Sequence, residues 1–141
     1  MLTSPGLSLA EINRLSPLVV AYIGDAVFEL AMRTRLATER PRKIGEIHQD
    51  VVNLVKAQAQ AGMLREIERC LTEEELSVVR RGRNAKSHSV PRGTVTADYR
   101  MSTGFEALFG YLYLKGDEAR LQEILALIDQ LTSPVMDVPS D

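Results

Sequence analysis

Two carboxylates sit where a helix would ordinarily carry apolar side chains. Asp25 interrupts the run LVVAYIGDAVFELAM (residues 18–32), and Glu106 interrupts GFEALFGYLYL (residues 104–114). On a helix the face neighbours of Asp25 are Leu18, Ala21, Tyr22, Phe28, Glu29 and Met32, and those of Glu106 include Thr103, Phe109, Gly110 and Tyr113. Burying an unpaired carboxylate costs several kcal/mol, so each needs an arginine, a solvent gap, a proton or a cation. Gly24 precedes Asp25 and Gly104 lies just upstream of Glu106. Mid-helix glycine costs about 1 kcal/mol relative to alanine, so a close approach by a neighbouring helix or a ligand is expected there. Taken singly, either carboxylate reads equally well as a salt-bridged residue. As a pair in the two most apolar helices, they favour a shared site for a hard divalent cation such as magnesium, which takes oxygen ligands and keeps several waters. Such a cation can activate water for attack on a phosphodiester and offset the charge that develops.

The second chemical signal is a basic segment. Arg80, Arg81, Arg83, Lys86 and Arg92 fall within residues 80–92 with no acidic residue among them, whereas the whole chain has net charge −2. Asn84, Ser87, Ser89 and Thr94 add amide and hydroxyl groups suited to phosphate or 2′-hydroxyl contacts. The alternative is a solvated helix end, where arginines favour the C-terminal dipole. Beside two candidate metal ligands, RNA contact is the preferred reading. Arg40, Arg42 and Lys43 read as a polar turn, and His48 and His88 lack the spacing of a metal or nucleophile motif.

The elements that must position these residues are helical throughout, with no alternating strand pattern. Ser8 can cap a short helix over 9–15, and Pro17 suits the first turn of a long helix over 17–39. A third helical region covers 44–71, with a joint expected near Asn53 or Gly62. Thr72 and Glu75 form a capping box that opens the helix leading into the arginines. Residues 84–96 read as a loop, followed by helices over 98–114 and 118–131. Residues 132–141 hold two prolines and no periodicity, and read as a frayed tail.

The chain has 141 residues, 45% hydrophobic and 26% charged, which suits one all-α domain over 1–141 with its core at about 16–131. The only cysteine, Cys70, cannot form an internal disulfide, and no Cys/His zinc framework is present. The N-terminus has no basic start or long apolar stretch, so it is not read as a secretory signal, and cytoplasmic residence is the expectation.

These same residues carry a family resemblance. Tyr22-Ile23-Gly24-Asp25-Ala26-Val27-Phe28-Glu29 resembles the signature helix of ribonuclease III, and Phe105-Glu106-Ala107-Leu108-Phe109-Gly110 resembles its second catalytic helix. Gly45-Glu46-Ile47-His48, the stretch from Val79 to Ala85 and Tyr99-Arg100-Met101-Ser102-Thr103 are similar to the stand-alone Mini-III branch. The resemblance implies a ribonuclease III endonuclease-domain helical fold without a double-stranded-RNA-binding domain. It implies a homodimeric endoribonuclease that cuts double-stranded RNA to 5′-phosphate and 3′-hydroxyl ends, with Asp25 and Glu106 as catalytic ligands of Mg2+ or, in its place, Mn2+. It further implies the large-subunit ribosomal RNA precursor as substrate and leaves room for a ribosomal protein helper. Tyr22 matches the position of an aromatic plug in the partner subunit; the alternative is a core tyrosine within its own subunit. Full-length ribonuclease III has acids where this chain has Leu18, Ala21 and Thr103. That reduced set predicts fewer protein ligands to the metal, and it motivates a competing reading as a catalytically silent RNA-binding dimer. A third reading is a helical interaction module whose carboxylates are merely salt-bridged.

Overall fold

The computed structural model describes residues 2–85, 92–93 and 95–133, which form helices and turns with no strand among them. The helices are α1 (Leu9–Asn13), α2 (Pro17–Glu39), α3 (Ile44–Val55), α4 (Ala57–Ile67), α5 (Glu73–Asn84), α6 (Thr96–Lys115) and α7 (Glu118–Thr132), with a 3-10 turn at Glu68–Cys70 between α4 and α5. The all-α expectation holds. Local chemistry sets most boundaries. The Ser8 and Thr72 hydroxyls accept the backbone N–H groups of Glu11 and Glu75, whose carboxylates return the bond to the capping residues. Pro17 opens α2, and the Ser16 side chain accepts the Leu18 N–H.

The joint within 44–71 falls at Lys56, whose extended backbone (φ −67°, ψ 153°) separates α3 from α4, and not at Asn53 or Gly62. No glycine or proline marks it; α3 packs on α2 whereas α4 packs on α6, so the chain must turn between them. The packed body also begins earlier than residue 16, because Ile12 of α1 is fully buried. Residues 134–141 of the expected tail lie outside the described residues. No described helix is long and apolar enough to cross a membrane.

Helix α6 is the axis of the molecule, packed against α2, α4, α5 and α7. Its approach to α2 is closer than any side chain would permit. A Cβ at Gly24 would fall 1.6 Å from the Glu106 carbonyl oxygen, and one at Gly110 would fall 2.0 Å from the Val20 carbonyl oxygen. Gly104 and Gly82 do the same for α5, where a Cβ at Gly104 would lie 2.8 Å from the Val79 carbonyl oxygen. Glycine is thus used for backbone contact between helices, as expected from its cost within a helix. The crossing of α2 and α6 is filled by Phe28, Phe105 and Phe109, all fully buried with ring centroids 4.9–5.2 Å apart.

One buried carboxylate is plainly structural. Glu75 is 3% exposed and receives two bonds of 2.8 Å from the Arg120 guanidinium, which also donates to the Cys70 carbonyl at 2.8 Å. This bidentate pair ties the start of α5 to α7 and satisfies both charges. It is the pattern a salt-bridged carboxylate should show.

Candidate active site

Asp25 and Glu106 do not show that pattern. Gly24 brings α2 onto α6 at the backbone of Glu106, so the two carboxyl groups meet across the crossing. Among the described residues neither makes an ion pair with a lysine, arginine or histidine. They face each other instead. Burial, reinforced by the Asp25 charge and by a hydrogen bond between the two side chains, pushes the Glu106 carboxyl up to about 8. At neutral pH the metal-free Glu106 carboxyl therefore holds its proton.

Both residues are half-buried rather than enclosed. The reason is that α2 has two apolar faces. Val20, Ala21, Phe28, Met32 and Leu36 point into the core, while Val19, Tyr22 and Leu30 are exposed, Tyr22 at 79%. Asp25 stands on the border. Next to the exposed stripe is a groove of about 830 Å³ between α2 and α7, lined in part by Ile23, Val27, Leu121 and Leu125 and bordered by Tyr22 and Asp25. Tyr22 is therefore not a core residue of its own subunit.

Among the described residues no cluster of three or more acidic, histidine or cysteine side chains forms a metal cage. The positions that could have enlarged the set are occupied otherwise: Ala21 is buried, and the Thr103 hydroxyl donates to the Tyr99 carbonyl at 3.1 Å. Glu29 is held by Arg33 at 2.8 Å, the arginine-paired role. The two-carboxylate pair still fits a hard divalent cation. The two carboxyl groups face each other, among the described residues neither has a counter-cation, and Glu106 holds a proton that a cation can displace.

The described arginines of α5 do not share one surface. Arg81 turns toward α1, donating to the Asn13 side chain and, at 3.2 Å, to the Asn13 carbonyl. Arg83 is half-buried where α5 meets Gly104 of α6. Arg80 is exposed on the opposite side, toward α4, and Asn84 and Arg92 are exposed. Lys86 and Ser87 lie outside the described residues, as do His88, Ser89 and Thr94.

Comparison with known proteins agrees with this geometry. The Ribonuclease III domain family matches residues 18–117, which contain both carboxylates and the whole α2–α6 crossing. A Mini-ribonuclease 3 of Thermoanaerobacter sp. (strain X514) is 49% identical over 83% of this chain and 82% of its own. One from Clostridium tetani (strain Massachusetts / E88) is 43% identical over 86% and 81%. In fold, the chain is similar to a crystal structure of a Fusobacterium nucleatum protein, with a TM-score of 0.77 at 28% identity, covering 85% of this chain and 96% of that one. With its glycine-locked crossing and its facing carboxylates, the chain belongs to the ribonuclease III family of endoribonucleases, in the Mini-ribonuclease 3 branch.

Proposed function

We propose that the chain cuts double-stranded RNA with the help of a divalent cation, magnesium by preference and manganese as its substitute, held by Asp25 and Glu106. The observation that supports this most directly is the pair of facing carboxylates with no counter-cation among the described residues, in a protein whose structural carboxylate Glu75 does have one. A bound divalent cation supplies Lewis-acid charge at the scissile phosphate and makes water more nucleophilic. Asp25 and Glu106 orient that charge from two helices locked at the Gly24 contact, so their separation does not drift. Phe28 and Phe109, each one turn beyond a carboxylate, form an apolar floor that strengthens the electrostatics above it. Glu106 would hold the cation as its carboxylate, its proton released to solvent. Arg80, Arg83, Asn84 and Arg92, with Lys86 and Ser87, are assigned to phosphate contact, which positions the duplex without reading its sequence. Arg81, engaged with Asn13, is the least available of the set.

The working form is a homodimer. A two-fold enzyme places one site at each strand of a duplex, and a two-fold interface must be self-complementary. Here the exposed stripe Val19, Tyr22, Leu30 and the adjoining groove lie side by side, so each subunit offers a knob and a socket on one face. Tyr22→Asp is expected to give monomers in light scattering and to lose most cleavage; an unchanged dimer mass would move the interface elsewhere. By its place in the Mini-ribonuclease 3 branch, the large-subunit ribosomal RNA precursor is the proposed substrate, in the cytoplasm, with a ribosomal protein as an optional helper.

The experiment compares a perfect duplex with single-stranded RNA of the same sequence. Magnesium-dependent cleavage of the duplex alone, stopped by a chelator, is the expected result. The silent RNA-binding dimer draws on the absence of acids at Leu18, Ala21 and Thr103. Duplex binding without cleavage at any metal concentration would favour it.

A further inference from the structure

Arg80 belongs to a second basic feature that the linear sequence does not display. Arg65 and Arg69 come from α4 and the 3-10 turn, and Arg80 comes from α5, yet all three line one groove of about 580 Å³ with Leu76. Two acids, Glu66 and Glu68, share its rim, but among the described residues neither forms an ion pair with these arginines. Arg69 and Arg80 are exposed and make no ion pair with any described residue. Arg65 bonds Asp98 in the first turn of α6 at 3.1 Å, which fixes its guanidinium against that helix and leaves further N–H groups for a ligand.

From this we infer that the groove is a phosphate-binding site for the backbone of the same RNA duplex, separate from the carboxylate pair. The inference rests on the double-strand reading above. The Arg69 and Arg80 guanidinium groups, without an ion pair among the described residues, line one groove with Arg65 and suit phosphate oxygens, which they can grip bidentately. The placement suits a duplex as well. Asp98 precedes Glu106 by two helical turns, about 12 Å along α6 at 1.5 Å per residue. Each strand of a nucleic-acid duplex carries one charge per about 3.4 Å of axis on the B-DNA scale. The rise of about 12 Å from Asp98 to Glu106 thus spans several phosphates of one strand. Arg65 and Arg69 thereby acquire a role that the 80–92 segment does not suggest, and Arg80 acts with them rather than with Arg81 and Arg83.

The test is Arg69→Ala with Arg80→Ala, beside Arg69→Lys with Arg80→Lys. Affinity for a perfect duplex is measured against salt in the Asp25→Asn background, so that the RNA stays intact, and cleavage sites are mapped with Asp25 present. Thermal melting verifies that these exposed substitutions leave the fold in place. The alanine pair is expected to weaken duplex binding about tenfold near 0.15 M salt and to make the slope of log affinity against log salt shallower by about one to two, with the cleavage position unchanged. The lysine pair is expected to keep most of the slope. A wild-type slope and affinity in the alanine pair, while the parent still binds and cuts duplex, overturns the groove alone; a groove reserved for an acidic protein surface gives this same result. Failure of the parent to bind duplex at all overturns the double-strand reading, and the groove falls with it.

Discussion

Asp25→Asn is expected to abolish cleavage, by about 10³-fold or more, while the helices and duplex affinity survive. The magnitude is that of losing a preorganised electrostatic partner in a partly dry site. The substitution keeps the volume and hydrogen-bonding reach of the side chain and removes only its charge. Asp25 stands on the border of the two apolar faces of α2, so packing has little stake in that charge. Stability gives a second readout that a structural role would not move in this direction. The Asp25 charge helps hold the Glu106 carboxyl at about 8, so its removal lets Glu106 ionise at lower pH. The metal-free Asn variant is therefore expected to be at least as stable as the parent at neutral pH. A salt-bridging aspartate would instead destabilise the fold when neutralised. Turnover at the parent's rate would remove Asp25 from the chemistry.

The carboxylates were legible in the sequence because a charge inside an apolar run violates the period of its helix, and the violation is visible without a partner. The same logic located Gly24 and Gly104, whose cost within a helix is repaid by backbone contact. Helix α2 emerged with its bounds because Ser16-Pro17 and the 40–42 break are local signals. What the sequence hid was tertiary. Lys56 becomes a joint only because α3 and α4 pack on different helices. Glu75 reads as half of a capping box, which it is, but its burial against Arg120 links positions 45 residues apart. The arginines of α5 look like one patch in a string and point to α1, α4 and α6 on a helix, because adjacent residues there diverge by about 100°. Periodicity also could not say that the second apolar face of α2 lies open, which leaves Asp25 half-buried.

Glu106 makes the metal-free protein sensitive to pH in a direction opposite to that of a salt-bridged acid. Its folded carboxyl titrates at about 8 against an ordinary 4.5, so the folded state holds the proton more tightly than the unfolded chain does. Its contribution to stability is thus complete below about pH 4.5 and is lost as pH rises through about 8. At about 1.4 kcal/mol per pH unit, the loss amounts to at most ~5 kcal/mol. Metal-free wild type is therefore expected to melt at progressively lower temperature between these limits, and magnesium should restore stability most at the alkaline end, where no proton competes. Glu106→Gln imitates the protonated form, so its melting temperature should stay flat over the same range and respond little to magnesium. Its cleavage should be lost at ordinary magnesium and return in part with excess magnesium or manganese, because neither Ala21 nor Thr103 offers a replacement carboxylate. Melting against pH and activity against metal, each for wild type and the Gln variant, make the measurement. Superimposable curves in both would take Glu106 out of the metal site. The ligand set would then have to be rebuilt around Asp25, with Glu29 the next to test once Arg33 no longer holds it.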